Sequence, residues 1–182
     1  FQAQELDEGT GYWIRFENSE NAAIFGESIS DLSIDLNADW NLISGISDTV
    51  ELSQFDDPEN IIIPGTLFGF NGSYEQTSFL IPGSGYWIRA SNSGTVSIST
   101  NSERMGIQDF NDRTINANEI IINGQNLYFG ISIPPSEELS YTLPPQPPSG
   151  AFDARFNGDN YVVKNRGIIE IMNPSELLSI SY

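Results

Sequence analysis

The sequence predicts an all-β protein of two antiparallel, β-sandwich-like (Ig-like) domains whose strands are linked by short turns. Three observations carry that expectation. Short alternations of apolar and polar residues recur along the chain, separated by turns rich in Gly, Pro, Asn and Ser. Almost no stretch carries a helical period. A pentapeptide occurs twice at an offset of 74 residues, as Gly11-Tyr12-Trp13-Ile14-Arg15 and Gly85-Tyr86-Trp87-Ile88-Arg89.

The duplication reaches upstream of the pentapeptide. Leu6 matches Leu80, Gly9 matches Gly83, and Leu-x-x-Gly-x-Gly is turn chemistry, because glycine reaches positive φ without a Cβ clash. Tyr-Trp-Ile-Arg then suits a strand. On a strand, Tyr and Ile share one face while Trp and Arg share the other, so the Arg can stack on its own Trp or cover it. Two readings fit. Either Tyr12, Trp13, Arg15, Tyr86, Trp87 and Arg89 build a packed core with a half-covered Trp, or they form an aromatic platform for a ligand. Residues 1–5 match only the ground after Tyr74, so the first copy is read as truncated at its front.

The remaining elements run in chain order. Residues 28–36 alternate with Ile29, Leu32, Ile34 and Leu36, as in a half-buried strand. A turn at Asn37-Ala38-Asp39 leads into Trp40-Asn41-Leu42-Ile43-Ser44. The acidic stretch 48–60 suits one helical turn or a loop, and 61–65 a buried strand ending at Pro64-Gly65. Residues 67–70 and 73–80 flank Asn71-Gly72, which predicts a hairpin with a type I′ turn. The second motif strand and the alternating run 95–100 close the first domain, 1–103. The second domain, 104–182, opens with a hairpin of 115–122 and 127–133 around Asn123-Gly124. The run Leu143-Pro144-Pro145-Gln146-Pro147-Pro148-Ser149-Gly150 is an extended polyproline connector that cannot pair as a central strand. Residues 152–156 alternate, and 161–164, 167–172 and 177–182 supply the last strands.

Composition narrows the functional classes. The 182 residues include 25 acidic and 7 basic side chains, net −18, with 38% hydrophobic and 12% aromatic residues. That is enough apolar material for a packed core. The charge disfavours nucleic acid and anionic membrane surfaces as partners. With neither Cys nor His, disulfides, thiolate nucleophiles, the usual zinc ligands and the commonest general base are absent. No run approaches the ~18 apolar residues of a membrane helix. Because the chain starts at Phe1, it is expected to be a processed product or a part of something longer.

Trp40-Asn41-Leu42-Ile43-Ser44, followed by Pro82-Gly83-Ser84-Gly85-Tyr86-Trp87-Ile88-Arg89, resembles a β-module of large secreted proteins exported by the type IX system. Leu127-Tyr128-Phe129-Gly130 and the run from Leu143 through Phe152-Asp153-Ala154-Arg155-Phe156 are similar to the segment preceding the C-terminal sorting domain of such proteins. The resemblance implies an extracellular or cell-surface location and no catalytic residues of its own.

Carboxylate pairs such as Asp56/Asp57, Asp109/Asp112, Glu137/Glu138 and Asp153/Asp159 are numerous, but no nucleophile motif or phosphate loop accompanies them. Asp109, Asn111 and Asp112, with Asn157 and Asp159, offer oxygen ligands of the kind calcium takes, although the same residues are favoured in plain turns. The resulting expectation is a non-enzymatic extracellular structural or assembly protein. It self-associates through its N-terminal strands into a fibre or filament by strand exchange. The alternative is a carbohydrate-binding or adhesion module of a larger secreted protein, with glycans as partners on the tryptophan platform.

Overall fold

In the computed structural model, residues 6–14, 26–100, 110–174 and 177–182 are described. The fold is all-β, with three short 3-10 turns, at Leu52–Gln54, Arg113–Asn116 and Pro135–Tyr141. The strands of the first half are β1 (Asp31–Leu36), β2 (Asp39–Ser44), β3 (Val50–Glu51), β4 (Phe55–Asp56), β5 (Phe68–Phe70), β6 (Tyr74–Gln76), β7 (Phe79–Leu80), β8 (Gly85–Ala90) and β9 (Gly94–Ser99). Those of the second half are β10 (Asn118–Ile122), β11 (Gln125–Phe129), β12 (Asp153–Phe156), β13 (Val162–Val163), β14 (Ile169–Met172) and β15 (Ile180–Ser181).

Three larger sheets dominate the described residues. One has the order β1-β9-β4, a second β2-β8-β5-β6, and a third β13-β11-β10-β15. All their pairings are antiparallel except β11 with β13, which is parallel. The small pairs β3-β7 and β12-β14 complete the set.

The second sheet is covered on both faces, and the alternation of β8 shows why. Tyr86, Ile88 and Ala90 point into one core with Ile43 of β2, Ile34 and Leu36 of β1, Phe55 of β4, and Val96 and Ile98 of β9. Trp87, on the other face, joins Trp40 and Phe68 against Ile122, Leu127, Phe156, Tyr161 and Val162 of the second half. A strand apolar on both faces needs a layer on each side. The second core is therefore built jointly, since Phe68 and Tyr74 come from the first hundred residues. The boundary expected at 103/104 lies outside the described residues.

The two Asn-Gly signals end differently. Asn123 (φ 47°) and Gly124 (φ 90°) both take positive φ between the paired Ile122 and Gln125, as a type I′ turn requires. At the other site only Gly72 (φ 88°) does so. Phe70 pairs with Tyr74, which leaves a three-residue loop, 71–73, in place of the expected two-residue turn. Ile62 makes only an isolated bridge, to Ala90, where a buried strand was expected. It is fixed by Asp57, whose buried carboxylate accepts from the N–H groups of Ile61 (3.0 Å) and Ile62 (2.9 Å).

Candidate functional site

The duplicated sequence makes a duplicated turn. Gly9 and Gly83 both sit at φ +77°. The Thr10 N–H donates to the Asp7 carbonyl (3.3 Å), as the Ser84 N–H donates to that of Ile81 (3.2 Å). The phenol oxygen of Tyr12 accepts from the Asp7 N–H (3.0 Å), and that of Tyr86 accepts from the Ile81 N–H (2.9 Å). Each hydrogen bond reaches five residues back, so the tyrosine latches its own turn.

Both copies then meet β2, from opposite sides. β8 pairs with it along its length, with Gly85 opposite Ser44. On the other edge, Thr10 bridges Ile43, the Gly11 N–H donates to the Leu42 carbonyl (3.0 Å), and the Ser44 N–H donates to the Gly9 carbonyl (3.0 Å). A Cβ on Gly11 would lie 2.6 Å from the Ile43 oxygen, so only glycine allows this approach. The outer border of β2 is thus covered at Leu42–Ser44 by the chain itself.

Beyond Gly11 the two copies part company. Trp87 is half-buried in the second core, and its buried indole N–H lies beside the Tyr74 phenol without a complete hydrogen bond. Arg89 pairs with Asp39 (2.7 Å) and donates to the Thr142 hydroxyl (2.7 Å). It stacks on Trp40, its cross-strand neighbour, at 5.5 Å, rather than on Trp87. The second copy's Trp87 and Arg89 are therefore packed against protein groups. In the first copy, Trp13 is 39% exposed, rests edge-on against Phe70 at 5.0 Å, and is followed by an exposed Ile14. Arg15 lies outside the described residues.

The oxygen-rich turns are held by protein groups. Asp112 caps the Arg113–Asn116 turn, accepting from the Thr114 N–H (2.8 Å) and hydroxyl (2.7 Å). The Asn111 carbonyl accepts from Tyr141 (3.2 Å), and Asp109 is not described. Asp159 pairs with Arg155 (2.8 Å), while the Asn160 amide donates to the carbonyls of Asn157 (3.4 Å) and Gly158 (3.0 Å). Among the described residues, no group of three acidic side chains is placed to hold a metal ion.

Arg155 is the residue that composition and spacing gave no reason to single out. It is fully buried and makes a two-pronged pair with the equally buried Asp153 at 2.6 and 2.8 Å. It also donates to the Pro144 carbonyl (2.8 Å), tying the proline run to β12. Burial works against the charged guanidinium, but the two carboxylates outweigh it and its pKa moves up.

Against protein-family models, curated proteins and solved structures, the chain has no match. No helix among the described residues is long and apolar enough to cross a membrane.

Proposed function

We propose that this chain is a non-enzymatic, extracellular assembly module that links to further copies of itself by exchanging its N-terminal strand. The observation behind this reading is the way residues 9–11 sit on β2. They occupy a sheet border through two backbone hydrogen bonds, and no residue of 6–14 belongs to either hydrophobic core. A peptide seated by main-chain bonds on an edge is a strand-addition contact, and the same slot serves a peptide from any copy. Reciprocal exchange closes a dimer; exchange in one direction continues into a filament.

Light scattering coupled to size exclusion tests this across a concentration series. The mass should rise above the monomer with concentration, and Gly11→Val should abolish the rise, because its side chain meets the Ile43 carbonyl whichever copy supplies it. A monomer at every concentration counts against the reading.

A further inference from the structure

A cavity of about 420 Å³ opens at the seam between β5-β6 and the β10-β11 hairpin. That volume lies within the range of small-molecule sites. Phe68, Tyr74 and Tyr161 back it but are almost fully buried, and the half-buried Tyr128 is the tyrosine ring on its wall with open surface. The buried phenols are already committed. Tyr74 donates to the Pro145 carbonyl (2.7 Å) and Tyr161 to that of Ser140 (3.2 Å), so neither hydroxyl has its proton to offer a ligand.

Gln125 lines the same cavity and is 2% exposed. Its Oε1 accepts from the Tyr74 N–H at 3.1 Å. Its Nε2, with two hydrogens to give, donates one long hydrogen bond among the described residues, to the carbonyl of the next residue, Asn126 (3.4 Å). Its second hydrogen can take a further acceptor. The carboxylates of Glu75 and Asp112 also line the cavity, and both are acceptors. No Lys or Arg among the described residues lines it, which disfavours an anionic ligand.

We infer that this seam pocket binds a neutral saccharide unit. Hydroxyl groups accept from Gln125 and donate to Glu75 and Asp112, while the apolar face of the sugar lies on the Tyr128 ring. An organic cation would suit the ring and carboxylates but would set Gln125 Nε2 against a group that accepts nothing. Glycan recognition then belongs to the seam rather than to the tryptophan platform, and it is independent of strand exchange.

The test is a titration of the ¹⁵N-labelled full chain with glucose, galactose, mannose, N-acetylglucosamine and cellobiose, alongside glucuronate and choline. The expected result is that at least one neutral sugar moves the Gln125 side-chain amide signals. Glu75→Ala, at an exposed rim position, and Tyr128→Ala should each weaken that sugar about tenfold or more, while Trp13→Ala and Gly11→Val leave it unchanged. The inference is overturned if no neutral sugar moves the Gln125 signals, if choline alone does, or if binding survives Glu75→Ala undiminished.

Discussion

At the scale of single residues, identical side chains meet opposite fates. Gly11 and Gly85 are equivalent in the repeat. A Cβ on Gly85 finds only ordinary contacts, the nearest at 3.6 Å, whereas on Gly11 it collides with backbone. Gly85→Ala should change stability by no more than about 0.5 kcal/mol, and Gly11→Ala should release residues 9–11 from β2. Amide shifts at Leu42 and Ser44 would check both. Arg155→Ala strands a buried Asp153 and should cost about 3–5 kcal/mol in urea unfolding. Arg155→Lys should recover little, because an ammonium cannot make the two-pronged pair. Burial pushes the Tyr74 and Tyr161 phenols above the ordinary phenol range. Each therefore ionises more readily in the unfolded chain than in the fold. Their contribution to stability is complete below pH ~10 and falls above it by ~1.4 kcal/mol per pH unit for each tyrosine. Tyr74→Phe should flatten that alkaline decline.

At the scale of elements, what local chemistry dictates was legible, and what distant partners dictate was not. The twin turns were readable from Leu-x-x-Gly-x-Gly, because glycine conformation is a property of a few consecutive residues. The face assignment of β8 was readable from period two. That Trp87 enters a core while Trp13 stays half-open was not, since the layer over Trp87 comes from residues far along the chain. The loop at Asn71-Gly72 departs from its signal because Phe70 pairs with Tyr74, one residue beyond the expected register. Seating of the N-terminal segment is closely balanced. Two hydrogen bonds and one edge-on ring contact offer about 1 kcal/mol each, against about 1 kcal/mol or more for each backbone residue ordered. The Gly11 amide should accordingly exchange with solvent at least ~100-fold faster than that of Ile88, at the centre of β8.

At the scale of the whole molecule, a four-stranded sheet is shared by two cores, and residues 6–14 contribute to neither. Removing residues 1–14 should leave both cores intact, seen as unchanged shifts for Ile98 and Leu127. The net charge of −18 sets copies of the chain against one another. Association should strengthen as salt shortens the Debye length from about 30 Å at 0.01 M to about 8 Å at 0.15 M. The most direct measurement is an isotope-filtered NOE experiment on labelled and unlabelled chains, mixed at high concentration. Strand exchange is expected to give a contact between Trp13 of one copy and Phe70 of another. If every Trp13–Phe70 contact stays within a single copy, the segment serves only its own chain and copies are not linked by strand exchange.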